Sequence, residues 1–152
     1  MRFWRICRQR YATEAASGEG ARLVGGRWNS RGVRVVYAST SLALAAVETF
    51  VNLEPKLRPN DLVSVEGEIP DDVEITRLDL RVLPSNWHGT RGESLRRFGD
   101  EWIHAGRTAA LLVPSAAIRG ESNILLSPAH RDSSKIRFHQ PQLFEFDVRM
   151  FR

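Results

Sequence analysis

A chain of 152 residues is long enough for one domain with a real core and too short for two comfortable ones. Its 42% hydrophobic and 26% charged residues fit a soluble globular protein, and no apolar run approaches the roughly 20 residues that span a bilayer. The formal charge is +4, carried almost wholly by arginine, and it is uneven: eight arginines precede Val35 against only Glu14 and Glu19, an excess that favours an anionic partner.

Phe3 to Ile6 reads as a first strand. The basic and apolar alternation around it lacks the continuous apolar stretch of a secretory signal. Cys7, the single cysteine, excludes an intrachain disulfide and reads as a small buried strand residue, so a cytoplasmic setting is expected. Gly18, Gly20, Gly25 and Gly26 predict a loop-rich stretch leading into Arg27-Trp28-Asn29-Ser30-Arg31-Gly32. Val33 to Ala38 is β-branched and aromatic and predicts a strand. Ser39, Thr40 and Ser41 each offer an N-cap hydroxyl to the next segment.

That segment, Leu42 to Leu53, is the clearest helix. Leu42, Ala45, Ala46, Thr49, Phe50 and Leu53 share one face, and Leu44, Val47 and Val51 cover much of the rest, predicting burial on most sides up to Pro55. Leu62 to Ile69 and Val73 to Leu80 read as strands. Leu95, Phe98, Trp102 and Ile103 mark a second amphipathic helix ending near Gly106, and strands are expected at Ala109–Val113, Asn123–Leu126, Ile136–Phe138 and Leu143–Val148. Short strands with two or three helices outside βαβ alternation predict an α+β domain with a short-stranded mixed sheet. A dinucleotide fold of the doubly wound kind is not expected: Gly18-Glu19-Gly20 lacks the third glycine and the helix start.

Three places look chemical. Glu48 is the only charge in its twelve-residue helix, and a carboxylate there needs a cationic partner, a polar cleft or an exposed edge. Gly25-Gly26-Arg27-Trp28 lets backbone approach a ligand while Arg27 binds a phosphate and Trp28 stacks on a base or covers a pocket; a tight turn with a core tryptophan fits the same residues. Ser115 after an apolar strand, and Ser122 and Asn123 opening the next, either line a cleft or cap turns. The four histidines have no metal-ligand spacing and no Gly-x-Ser-x-Gly elbow is present, so neither a metal nor a serine hydrolase is expected.

Taken in order, Gly-Gly-Arg-Trp-Asn-Ser-x-Gly, Val-Val-Tyr-Ala-Ser, Leu-Ala-x-x-Glu, Leu-Val-Pro-Ser-Ala and Glu-Ser-Asn-Ile-Leu-Leu-Ser-Pro-Ala-His resemble the RES domain over about the whole chain. That family is named for an arginine, a glutamate and a serine. The resemblance implies one domain spanning residues 1–152, with a fold similar to ADP-ribosyltransferases and diphtheria-type toxins. It implies a bacterial toxin that depletes NAD+ by cleaving the nicotinamide–ribose bond, as a glycohydrolase or phosphorylase, with NAD+ as substrate and no prosthetic group. By motif, the catalytic positions fall on Arg27, Tyr37 and Glu48. Substrate-binding positions fall on Arg27, Trp28, Tyr37, Ser115, Ser122 and Asn123, with Ser115 and Ser122 both candidates for the family serine. The usual Asn-Pro near the end reads Ser127-Pro128 here.

The implied partner is an Xre-type antitoxin covering the cleft, through which nucleic acid is met only indirectly. No membrane is implied, and homodimerisation is a further expectation. Two other functions compete: a mono-ADP-ribosyltransferase with a protein target, and a non-catalytic basic module that binds nucleic acid or a partner. NAD+ loss with nicotinamide release separates the enzymes from the binding module, which instead predicts steeply salt-dependent nucleic-acid binding.

Overall fold

Among the described residues, eight strands of two to seven residues share one sheet. The structure is a computed structural model that describes residues 1–54 and 56–152; the helix boundary expected at Pro55 lies outside the described residues. β1 (Arg2–Arg8), β2 (Val36–Ser39), β3 (Leu62–Glu68), β4 (Ile75–Arg77), β5 (Ala110–Pro114), β6 (Ser122–Leu126), β7 (Arg137–Phe138) and β8 (Gln142–Phe144) are joined through helices α1 (Glu19–Val24), α2 (Leu42–Val51) and α3 (Glu93–Ala105). The strand order is β4-β5-β6-β2-β1-β3-β7, with β8 also on β3; among the described residues only β4 and β5 run parallel, so the sheet is mixed and the α+β expectation holds.

Alternation along the central strands builds two layers. Val36 and Ala38 of β2 join Ile124, Leu126, Ala110, Leu112 and Phe3 in one core. The intervening residues, Leu125, Leu111 and Val113, join Trp28, Leu83 and Leu95 of α3 in the other, with Tyr37 packed against them. α3 ends where expected, at Gly106, whose φ of 58° is the left-handed conformation of a helix C-terminus.

Several expectations need correction. The glycine-rich stretch holds helix α1, entered through Gly18 at φ 68° and left through Gly25 at φ 76°; its glycines mark the ends of the helix. The second strand begins only at Val36, the fourth keeps only Ile75–Arg77, and the last stops at Phe144 before a 3-10 turn at Val148–Phe151. Of the three hydroxyls before α2, Ser41 alone caps, accepting from the Leu44 amide at 3.1 Å, while Ser39 and Thr40 bond across to β6. α2 ends at Val51 and is not buried on most sides: only Leu44 and Ala45 are buried, and Leu42 and Val51 are exposed. Its apolar residues exceed what one face can bury. Phe50 leans instead on Phe146 and Phe151, ring centroids 5.7 and 5.6 Å away.

Candidate functional site

The site lies where the sheet splits. β1 and β2 share one register pair among the described residues, Trp4 opposite Ser39. A cleft of about 830 Å³ is lined by Trp4 to Arg8 on one side and Tyr37 to Ser39 on the other. α1 and the Gly25–Trp28 loop, the inner face of α2, and His88 with Arg91 close it.

Glu48 reaches this cleft for a helical reason. It stands four residues after Leu44 and three after Ala45, the two buried residues of α2, so it belongs to the same inward stripe. Its Oε1 accepts the Ser115 hydroxyl and the Asn123 Nδ2, each at 2.6 Å. Oε2 takes no hydrogen bond from the described residues.

Both donors are themselves fixed. Ser115, 1% exposed at the end of β5, accepts the amides of Ala117 and Ile118 at 3.1 and 3.0 Å, so its hydroxyl is fully used behind the cleft wall. The Asn123 Oδ1 accepts the Ser39 hydroxyl at 2.7 Å. Ser122, the alternative serine, is placed elsewhere: its hydroxyl accepts from Arg77 at 3.4 Å and its carbonyl from Thr40 at 2.9 Å. Ser127 is buried too, its amide on the Ala109 carbonyl at 2.9 Å, away from the cleft lining.

The Gly-Gly-Arg-Trp-Asn loop holds the opposite wall. Asn29, wholly buried, donates through Nδ2 to the carbonyls of Ala21, Ser30 and Val33 and accepts the Tyr37 hydroxyl at 2.7 Å. The Trp28 amide donates to that same hydroxyl at 3.0 Å. Burial raises the Tyr37 phenol far above its ordinary range, so it stays neutral and presents a ring to the cleft. Trp28 is 2% exposed, its ring 6.2 Å from that of Trp87, and it lines the cleft from within the core. α3 braces the loop: Asp100 accepts the Ser30 amide at 2.9 Å, and Gly99 lies under the Trp28 carbonyl, where a Cβ would come within 1.8 Å.

Arg27 donates to the carbonyls of Trp87 and Thr90 at 3.1 and 2.6 Å. Burial lowers its pKa and the nearby Arg91 charge lowers it further, with Glu48 and Tyr37 opposing. Three further arginines line the cleft, Arg5, Arg8 and Arg91, and Arg8 is paired with Asp61. Arg5 donates to the Tyr37 carbonyl at 2.9 Å, and its Nε is buried without a hydrogen-bond partner. Burial lowers its pKa, with the Cys7 thiol opposing, and burial correspondingly raises the thiol. The signal was present: Arg5 stands between Phe3 and Cys7 at i±2, on the inward face of a strand. Arg91, bonded to the Asn52 side chain at 2.9 Å, has no such signal because it lies in an irregular stretch before α3. The lining therefore sets Arg5, Arg8, Arg27 and Arg91 in one cleft with a single carboxylate, Glu48, an arrangement suited to a ligand with both cationic and anionic parts. Among the described residues no three of His, Cys, Asp or Glu gather as metal ligands, and no helix is long and apolar enough to cross a membrane.

The fold is shared with a chain in the crystal structure of the M. tuberculosis MbcT-MbcA toxin-antitoxin complex, which matches with a TM-score of 0.69 and 15% identity, over 99% of this chain and 86% of that one. The RES domain profile matches residues 2–148, and the chain belongs to that family. Its curated relatives are toxins. The "Prs ADP-ribosylating toxin" of Sphingobium sp. (strain YBL2) is 39% identical over 99% of this chain and 96% of its own. The "Toxin Res" of Yersinia enterocolitica (serotype O:8 / biotype 1B) is 32% identical over 99% of both, and that of Photorhabdus laumondii 35% over 89% and 86%.

Proposed function

We propose that this chain is a bacterial toxin that binds NAD+ in the cleft and breaks the bond between nicotinamide and ribose. The observation that carries the reading is the asymmetry of Glu48: Oε1 is held by Ser115 and Asn123, and Oε2 is left for a ligand in a cleft lined by four arginines. Arg5 and Arg27 hold the diphosphate, and the Tyr37 ring packs on the nicotinamide or its ribose. As the C–N bond breaks, its electron pair leaves with nicotinamide and positive charge grows on the ribose. The Glu48 carboxylate stabilises that charge, and a fixed group of this kind supplies roughly 2.7–4 kcal/mol in enzymes where it has been removed. Ser115 and Asn123 act by aiming Glu48, a closer fit to their hydrogen bonds than direct contact with nicotinamide. Trp28, buried against Trp87, stiffens the wall it lines, and Ser122 stands outside the lining.

Two classes of acceptor are open to the ribose carbon: a small molecule, water or phosphate, whose use depletes NAD+, and a protein side chain. The name of the Sphingobium relative favours the second as an alternative. In either case the toxin acts in the cytoplasm, and an Xre-type antitoxin covers the cleft; the fold shared with a chain of a toxin–antitoxin complex supports the antitoxin. The experiment is incubation of purified protein with NAD+, with and without phosphate and with the Prs protein as acceptor. Products are identified by mass: free ADP-ribose reports hydrolysis, its phosphorylated form phosphorolysis, and a mass gain on protein transfer. No nicotinamide release in any arm overturns the enzymatic reading and returns the basic binding module to first place.

A further inference from the structure

Ser39 is the one residue of β2 with a register partner on both sides, Trp4 across to β1 and Asn123 across to β6. It is 3% exposed, and its Oγ donates to the Asn123 Oδ1 at 2.7 Å. An asparagine amide has an accepting end and a donating end, and an ionised carboxylate only accepts. Asn123 therefore serves Glu48 only when its Nδ2 faces Oε1, the orientation observed at 2.6 Å. Turned by half a revolution, the amide would set oxygen against oxygen, and the Ser39 proton would face an NH2 group.

We infer that Ser39 is a positioning residue for the chemistry proposed above: by donating to the Asn123 oxygen it locks the amide in the one orientation that holds Glu48. The chain of donation runs from Ser39 to Asn123 to Glu48, and Ser115 meets the same carboxylate oxygen from the other side. Both Oε1 partners are thus fixed by hydrogen bonds of their own, which keeps Oε2 as the group offered to the ligand. Ser39 acts through Asn123 alone. A serine at this place is no cap, although it stands two residues before the cap of α2.

The inference rests on the NAD+ reading, and its test separates the two. Ser39→Ala, Ser39→Thr, Asn123→Ala and the double variant Ser39→Ala/Asn123→Ala are compared with the natural chain in NAD+ turnover. The side-chain amide signals of Asn123, assigned by their loss in Asn123→Ala, are followed by NMR. Ser39→Ala is expected to lower kcat about tenfold, the worth of one hydrogen bond to a fixed group, with KM for NAD+ unchanged. Ser39→Thr keeps the hydroxyl and recovers most of the rate. In the Asn123→Ala background, Ser39→Ala has no further effect. The Asn123 amide protons shift and exchange faster in Ser39→Ala and stay near their natural positions in Ser39→Thr. An unchanged kcat in Ser39→Ala, or an equal loss with and without Asn123, overturns the positioning role. If the natural chain consumes no NAD+, the functional reading falls, and the amide signals alone decide this one: unaltered signals in Ser39→Ala overturn it.

Discussion

The two faces of the β2–β6 pair differ by one residue and divide the work of the molecule. On one face Val36, Ala38, Ile124 and Leu126 sit among apolar neighbours, with Ile124 wholly buried. On the other, Leu125 is as deeply buried, but the strand ends turn polar at Ser39 and Asn123, where Glu48 arrives from α2. The first face can be read as pure burial, each side chain contributing in proportion to the apolar area it removes from water. The second uses burial to hold polar groups that water would otherwise reorient. Alternation with a period of two makes both possible from the same strands, and a slip of one residue would exchange them, moving Asn123 into the apolar core.

The sharpest way to break this comparison is to alter neighbours on opposite faces. Glu48→Gln keeps a carbonyl for Ser115 and Asn123 but replaces Oε2 and the negative charge with an amide. Its expected result is a loss of about 10²–10³ in NAD+ turnover with an unchanged thermal midpoint, measured at matched folded concentration. Ile124→Ala is the converse: about 2–5 kcal/mol of stability lost in denaturant melts, with normal turnover by the fraction that remains folded. Should Glu48→Gln unfold the chain, or Ile124→Ala spare stability, the two faces do not divide as described.

A third substitution sharpens the boundary between them. Gly99→Ala places a Cβ within 1.8 Å of the Trp28 carbonyl, a backbone atom in the loop that carries Arg27. The clash forces α3 and the loop apart, an overpacking cost of about 1–3 kcal/mol. Because the loop also fixes Tyr37 through Trp28 and Asn29, KM for NAD+ should rise along with the loss of stability. A stability loss with unchanged KM would mean that the loop tolerates displacement and that α3 is only scaffold.

Much of this was legible in the residues, and the gaps have physical causes. α3 and β3 follow their apolar periods because each buries one face, and β5 and β6 read as continuous apolar runs because both of their faces are buried. α1 escaped notice because its six residues are too short for a periodic signal and glycines flank it. Glu48 stood out as a charge in an apolar helix, but its partners lie 67 and 75 residues away, a distance no local pattern spans. Ser115 and Ser122 are equivalent in composition; only the sheet register, which pairs Asn123 with Ser39 and sets Ser122 beside Arg77, tells them apart. Arg27 was visible by its glycines, whereas Arg5 was hidden among eight N-terminal arginines although strand alternation pointed it inward.

The smallest expected effect lies on the rim. Glu19, at the start of α1, accepts two bonds from Arg22 at 2.8 and 2.6 Å and meets Arg34 at 2.7 Å. The Arg22 hydrogen bonds, aided by the charges of Arg22 and Arg34, hold its carboxyl below the ordinary value of 4.5 against a weaker effect of burial. A folded-state value below the unfolded one means that the contribution to stability is full above the unfolded value and is lost as pH falls through the folded one. Glu19→Gln should therefore differ slightly from the natural chain in denaturant melts at pH 7, and the difference should vanish under acid. Added salt should shrink it as well, since the pair is open to water. Turnover should not change, although Gly20 and Ala21 of the same helix line the cleft. Asn29, tied to the Ala21 carbonyl at 2.9 Å from inside, already holds that wall. A fall in turnover on Glu19→Gln would show instead that the cleft depends on its solvent-exposed charges as much as on its buried amides.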